Sequence, residues 1–94
     1  YVLGGQRFLA RSLEPGLHIV ATPIGNLRDM TIRAVETMAA ASIVACEDTR
    51  VTRRLVDHFA LSTRLVPYHE HNAAEMRPKL LARLAAGESV ALVS

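Results

Sequence analysis

The chain has 94 residues, of which 50% are hydrophobic, and a formal net charge of +2 with an isoelectric point near 9.2. This length suits one small domain, and the mildly basic charge permits a polyanionic partner without requiring one. The single cysteine, Cys46, excludes a disulfide framework and indicates a reducing, cytoplasmic setting, while no apolar run approaches the roughly 20 residues of a membrane span.

Residues 1–15 are predicted to be a flexible lead-in, and their start lacks the long apolar core of a secretory signal. The pattern then becomes regular, and Leu17–Ala21 is predicted to be the first strand. This apolar run stops at Thr22, and Gly25 and Asn26 follow, both of which tolerate unusual backbone conformations. Such a β-to-α loop can attract an anion through its exposed N–H groups, but the spacing alone favours an ordinary turn.

The next segment predicts a helix and a buried strand. Apolar residues recur at three- and four-residue spacing from Ile32 to Met38, which is typical of one face of a helix. Asp29 or Thr31 is the expected N-cap of this helix. The continuous apolar run Ser42–Cys46 predicts a strand that is covered on both faces.

A second helix and a third strand follow. Apolar residues between Val51 and Phe59 predict the helix, with Asp48 or Thr49 as its cap. Leu65–Tyr68 is predicted to be a short strand. Its proline cannot donate a ladder hydrogen bond, so this strand is expected at an edge of the sheet.

The last predicted unit is a third helix and a closing strand. Asn72 and Glu75 match an N-cap with a carboxylate at the third helical position, and Gly87 is a natural stop. Pro78 removes a helix hydrogen bond, so the helix either is kinked there or begins near residue 77. Val90–Ser94 is predicted to be the fourth strand. A strand at the very end of the chain indicates a fragment of a longer protein.

This alternation of strands and helices predicts an α/β domain with a mostly parallel sheet flanked by helices. In such a sheet the carboxyl ends of the strands lie along one edge, where α/β proteins bind ligands. Three loops in which polar and charged residues are concentrated are expected to meet there: Thr22–Asp29, Glu47–Arg50 and His69–Asn72.

The second of these loops has the densest chemistry. Glu47 and Asp48 are carboxylates that can orient a hydroxyl nucleophile, and Arg50 can hold a phosphate or carboxylate in a bidentate fork. The alternative is structural, with Asp48 as a helix cap and Arg50 as its ion-pair partner. The sequence alone leaves the two interpretations about even.

The third loop contains His69 and His71, whose spacing can begin a zinc site. No third and fourth ligands stand out, so no metal is expected and a polar loop that faces a substrate is favoured. Arginines near the loops, such as Arg53 and Arg54, are interpreted by default as a solvated helix face. An RNA-binding surface would need aromatic stacking partners, of which only Tyr68 is well placed.

Four ordered blocks resemble the ribosomal RNA small subunit 2′-O-methyltransferases that act on cytidine, within the tetrapyrrole methylase superfamily. The blocks are His18–Ala34, Ala45–Leu55, Tyr68–Asn72 and Gly87–Ser94, so the resemblance runs from about Gly16 to the last residue. The family's fourth block continues into an Asp-Ala-Gly-Thr-Pro motif that lies beyond this sequence. The first loop also lacks the Gly-x-Gly-Pro-Gly-Asp pattern of the tetrapyrrole branch, which points to the ribosomal RNA branch.

The resemblance implies the N-terminal domain, residues 16–94, of a two-domain enzyme that binds S-adenosylmethionine in the cleft between its domains. It implies methyl transfer to a cytidine ribose of small-subunit ribosomal RNA, in the free RNA or the 30S subunit, by a homodimer. The candidate catalytic residues are Glu47, Asp48 and His69. The expected cofactor-binding residues are Pro23, Gly25 and Asn26, and the expected substrate-binding residues are Arg50, Thr49 and His71. No metal site and no membrane partner are expected.

Two other functions stay open at this point. One is a tetrapyrrole methylase that acts on precorrin-type substrates with the same fold. The other is a non-catalytic module that binds RNA in a salt-dependent manner and needs no cofactor.

Overall fold

The computed structural model describes residues 1–94, and a parallel four-stranded sheet is its centre. A short 3₁₀ helix, Leu27–Asp29, precedes the first α-helix. In chain order the strands and helices are β1 (Val2–Leu3), β2 (Gln6–Arg7), β3 (Gly16–Val20), α1 (Ile32–Ala40), β4 (Ile43–Cys46), α2 (Thr49–His58), β5 (Leu65–Pro67), α3 (Ala73–Ala85) and β6 (Ser89–Val93). None of these helices has the length and apolarity to cross a membrane.

The main sheet has the order β3-β6-β4-β5, and every neighbouring pair is parallel. The predicted α/β architecture is therefore confirmed, and β5, the strand that contains Pro67, lies at an edge as expected. The last strand of the chain lies inside the sheet, where Ala91 pairs with His18 on one side and Val44 on the other. The first and last predicted strands each begin one residue earlier than expected.

The strand order puts the helices on both faces of the sheet. Crossovers in parallel sheets are right-handed, so α1 and α2 pack on one face, and α3 returns across the other. Met38, Val44 and Val56 belong to the core on the first face. Ile43 and Leu80 belong to the core on the second. Successive residues of β4 thus point to opposite faces, and all four are buried.

The structure selects one cap from each predicted pair. Thr31 caps α1 by accepting a 3.0 Å hydrogen bond from the backbone N–H of Ala34. Asp48 caps α2 by accepting a 2.9 Å hydrogen bond from the backbone N–H of Arg50. These bonds satisfy donors that have no partner within the helix. Both α1 and α2 therefore begin at the edge of the sheet where the loops meet.

The predicted N-cap of α3 is confirmed in position, with Glu75 as the third helical residue, but its side chains bond elsewhere. Asn72 occupies the N-cap position but forms no side-chain cap bond. Its Oδ1 accepts a hydrogen bond from the His69 N–H (2.8 Å) and its Nδ2 donates to the Pro67 carbonyl (2.9 Å), while Glu75 pairs with Lys79. Asn72 therefore fixes its own loop instead of the helix. The helix begins at Ala73 and includes Pro78 within its span.

A hairpin at the N-terminus is an addition to the predicted fold. Strands β1 and β2 pair antiparallel inside the segment that is predicted to be a flexible lead-in. The Val2 N–H donates a 2.7 Å hydrogen bond to the Phe59 carbonyl, and Tyr1 and Leu3 pack against a cluster formed by Val35, Leu55 and Phe59. The hairpin therefore covers the packing contact between α1 and α2.

Candidate active site

A shallow cavity of about 180 Å³ lies at the carboxyl edge of the sheet, where β3, β4 and β6 end. Residues that follow these strands line it together with the first turn of α2. We call it the strand-end cavity, and its lining residues are Thr22, Glu47, Asp48, Val51, Thr52, Val93 and Ser94. The predicted convergence of loops at this edge therefore holds for the first and second loops.

Hydrogen bonds join the two sides of this cavity. The Thr22 hydroxyl donates a 2.7 Å hydrogen bond to the Ser94 carbonyl, and the Thr22 N–H donates to the same oxygen at 3.1 Å. The Ser94 N–H in turn donates to the Val20 carbonyl at 3.1 Å. The ends of β3 and β6 are thus held together just where the backbone leaves the sheet. This fixes the start of the first loop relative to the end of β6.

Glu47 and Asp48 occupy different environments although they are adjacent. Glu47 is exposed, and its side chain takes part in none of the side-chain hydrogen bonds or ion pairs of the structure. Asp48 accepts hydrogen bonds from the backbone N–H of Arg50 at 2.9 Å and from its Nε at 3.3 Å, and an ion pair joins Oδ2 to Nη2 at 3.2 Å. Glu47 is therefore the free carboxylate of the cavity.

These bonds set the charge state of Asp48. The side chain of Arg50, followed by its backbone N–H, holds the pKa of the Asp48 carboxyl below its usual range. The same contact raises the pKa of the Arg50 guanidinium. Asp48 thus caps α2 and pairs with Arg50, as the structural interpretation of this loop predicts. A carboxylate with a lowered pKa is a weaker base than a free one.

Cys46 and Thr52 are both buried, and of the two only Thr52 lines the cavity. The Cys46 thiol donates a weak hydrogen bond to the Val66 carbonyl, with 3.7 Å between sulfur and oxygen. Burial is the main cause that raises the pKa of the Cys46 thiol. This cysteine therefore stays protonated at neutral pH and packs as a small core residue.

The first loop lies at the same edge, but its three predicted site residues, Pro23, Gly25 and Asn26, are all outside the cavity lining. Gly25 adopts a φ of +88°, a conformation that favours glycine. The Asn26 side chain accepts a 2.9 Å hydrogen bond from the Arg28 N–H and caps the 3₁₀ helix. Pro23, which precedes them in the loop, is half-buried. The loop thus presents its backbone at the edge, with only Thr22 reaching the cavity.

The histidines of the third loop are held by local hydrogen bonds. The His71 N–H donates to His69 Nδ1 at 3.2 Å, and the two ring centroids are 5.8 Å apart. Neither ring lines the strand-end cavity, and Thr49 does not either. No group of three or more His, Cys, Asp or Glu side chains is placed so that it could hold a metal ion.

Five lining residues are absent from the sequence-based candidates: the apolar Val51 and Val93, and the polar Thr22, Thr52 and Ser94. For Thr22 and Ser94 the signal is their position directly after the predicted apolar strands. Thr52 is one turn beyond the cap of α2, on the side of the helix that faces the sheet. Hydroxyl side chains directly after predicted strands are therefore a signal that identifies Thr22 and Ser94.

Residues 16–94 match the family of Tetrapyrrole (Corrin/Porphyrin) Methylases, and the chain belongs to this family. The resemblance that the four sequence blocks indicate is thereby confirmed.

Similar proteins fall in the ribosomal RNA branch. A protein of Mesorhizobium japonicum named "Ribosomal RNA small subunit methyltransferase I" is 59% identical over 93 residues, which cover 99% of this chain and 32% of that protein. Proteins with the same name are 47% identical in Halalkalibacterium halodurans and 53% identical in Synechocystis. The alignments cover 95% and 83% of this chain, and 31% and 28% of those proteins. The chain thus spans about a third of the length of these relatives.

Proposed function

We propose that this chain is the first domain of an S-adenosylmethionine-dependent methyltransferase that methylates a cytidine ribose 2′-hydroxyl in small-subunit ribosomal RNA. The observation that carries the proposal is the family match over residues 16–94, together with relatives that bear a ribosomal RNA methyltransferase name. The strand-end cavity lies where open α/β sheets bind their ligands, which agrees with this assignment.

The chemistry of the cavity suits S-adenosylmethionine, which is a cationic sulfonium and supplies an electrophilic methyl group. Glu47 provides a free negative charge, and Thr22 and Thr52 provide hydroxyl groups. The backbone between Pro23 and Asn26 presents polar groups beside them. We therefore assign cofactor binding to Pro23, Gly25 and Asn26 and add Thr22 to that set.

The volume of the cavity favours a two-domain site. Pockets for drug-sized ligands usually enclose ~300–1,000 Å³, whereas the strand-end cavity holds about 180 Å³. A single wall with a cavity of this volume encloses a drug-sized ligand poorly. We propose that residues 16–94 supply this wall and that a second domain supplies the other, in a protein that works as a cytoplasmic homodimer.

Glu47 is our first candidate for the group that accepts the proton of the ribose hydroxyl, because its carboxylate has no other partner. Asp48 follows, although its bonds to Arg50 reduce its basicity. His69 is the third candidate, and it needs movement of its loop to reach the strand-end cavity. Correct alignment of the hydroxyl with the methyl group contributes several kcal/mol to catalysis of this kind (~7–11 kcal/mol in favourable cases).

Contact with RNA is assigned to the exposed residues around the cavity. The Arg50 side chain is 90% exposed although it pairs with Asp48, so its guanidinium can also reach a phosphate. Thr49 and His71 offer further polar groups on the two neighbouring loops. Their partner in this proposal is small-subunit ribosomal RNA, free or in the 30S subunit.

The test is a methyl-transfer assay on the intact protein. Labelled S-adenosylmethionine is mixed with small ribosomal subunits that lack the modification, and nucleosides are analysed by mass spectrometry. The proposal predicts 2′-O-methylcytidine in the ribosomal RNA. A parallel reaction with precorrin-type tetrapyrroles tests the sister activity of the family, and methylation there instead would refute the RNA assignment. RNA binding without any methyl transfer would identify a non-catalytic module.

A further inference from the structure

A second cavity, of about 300 Å³, adjoins the strand-end cavity along α2. We call it the α2 cavity, and its four lining residues are Asp48, Arg50, Val51 and Arg54. Asp48 and Val51 also line the strand-end cavity. The two depressions therefore form one continuous surface that runs from the carboxyl ends of the strands onto the outer side of α2.

The α2 cavity lies on a basic helix. Three arginines and one aspartate give α2 a charge of +2, which equals the formal net charge of the whole chain. Within the cavity, Asp48 offsets the charge of Arg50 through their ion pair. Arg54 takes part in none of the four ion pairs, and Asp57, one turn further on, does not pair with it either. Arg54 is therefore the uncompensated cation of this surface.

The spacing along the helix places these groups in a row. Arg50 and Arg54 are four residues apart, so they lie on one side of the helix and about 6 Å apart along its axis. Val51, whose surface is 62% exposed, lies between them and the strand-end cavity. An exposed apolar side chain beside guanidinium groups suits a sugar–phosphate chain, because arginine binds phosphate in a bidentate fork.

We propose that Arg54 binds a backbone phosphate of the RNA strand and thereby positions the target ribose at the strand-end cavity. This inference rests on the proposed function. RNA is the favoured partner because the cationic surface is continuous with the place where the ribose must react. Arg54 acts as a substrate-positioning residue and takes no part in the proton transfer.

The experiment compares Arg54→Ala with Arg64→Ala in the intact protein. Arg64 is an exposed arginine just before β5, at the opposite edge of the sheet, so its removal changes the net charge equally. Methylation of unmodified small subunits is measured at several salt concentrations, and S-adenosylmethionine binding is measured by calorimetry. Both variants are expected to melt at the wild-type temperature, because Arg54 and Arg64 are exposed and take part in no ion pair. Arg54→Gln provides a second variant that keeps the aliphatic part of the side chain.

For Arg54→Ala we expect KM for the subunit to rise about tenfold, with kcat and cofactor affinity unchanged, as for the loss of one charge-assisted contact. The slope of log affinity against log salt should fall by about 0.7–0.9, the value of one phosphate contact. Arg54→Lys should recover part of the loss, because it keeps the charge but not the fork. Arg64→Ala should resemble the wild type.

Equal KM values and salt slopes for the Arg54 and Arg64 variants, in a protein that methylates RNA, would overturn this inference alone. A wild-type protein that methylates no RNA would overturn the proposed function and the inference together. A fall in kcat or in cofactor affinity, without a change in KM for RNA, would also contradict the positioning role.

Discussion

Replacing Glu47 with glutamine should separate catalysis from folding. The Glu47 side chain is exposed and has no hydrogen-bond or ion-pair partner, so its neutralisation should change the free energy of unfolding by no more than about 0.5 kcal/mol. If this carboxylate accepts the ribose proton, its loss should lower kcat about 100-fold or more, since general bases contribute ~10²–10⁴-fold. A 100-fold loss equals about 2.7 kcal/mol in the activation barrier.

The assay is single-turnover methyl transfer to unmodified small ribosomal subunits at saturating cofactor, with thermal unfolding of the same preparations. The matched control is Asp48→Asn, which also removes one negative charge at this edge but retains a side chain that caps helices well. Its rate should fall less than that of Glu47→Gln. A Glu47→Gln enzyme with a rate within twofold of the wild type would refute the assignment of Glu47 as the base.

The other predictions concern the fold around the site. Met38→Ala should lower the free energy of unfolding by about 2–5 kcal/mol in denaturant titrations, because Met38 is 0% exposed. Leu81→Ala, at an exposed position, should lower it by only about 0.5 kcal/mol. Equal losses for the two variants would contradict the described core. Thr22→Val should remove the hydrogen bond to Ser94, lower the free energy of unfolding by about 0.5–1.5 kcal/mol and weaken cofactor binding in calorimetry. Thr22→Ser should preserve the stability and the cofactor affinity. Identical behaviour of the two variants would show that the hydroxyl is dispensable. Because the folded-state pKa of Asp48 is lowered, its contribution to stability should be complete above the unfolded-state pKa and disappear as the pH falls through the folded-state pKa. The stability difference between wild type and Asp48→Asn should therefore shrink in acid titrations, and a difference that grows instead would contradict this sign.

The alternation of strands and helices was predictable because each element has a local cause. Apolar periodicity marks α1 and α2, and Thr31 and Asp48 are good caps directly before them. Pro67 excludes β5 from the middle of the sheet. Each of these causes involves residues that are close together in the chain, so they can be identified from the sequence without the tertiary structure.

Contacts between distant segments were not predictable in the same way. The bond from Thr22 to the Ser94 carbonyl depends on β6 lying next to β3, and periodicity does not determine strand order. The Asn72 side chain had two possible roles, since asparagine can cap a helix or bond within its own loop. The loop bonds to His69 and Pro67 prevail in this fold.

The N-terminal hairpin did have a local signal that the sequence interpretation passed over. Gly4 and Gly5 form a two-residue connection between β1 and β2, and both have positive φ angles. A Gly-Gly pair is a recognised hairpin signal. The flanking strands have only two residues each, so no alternating pattern accompanies it.

Hydrogen exchange of the intact protein with and without S-adenosylmethionine tests the central claim most directly, namely that the carboxyl ends of β3, β4 and β6 form one wall of the methyl-transfer site. We expect the cofactor to slow exchange in residues 22–27 and 47–52, while α3 exchanges as before. Slower exchange confined to α3 or to the N-terminal hairpin, with no change at the strand ends, would contradict it.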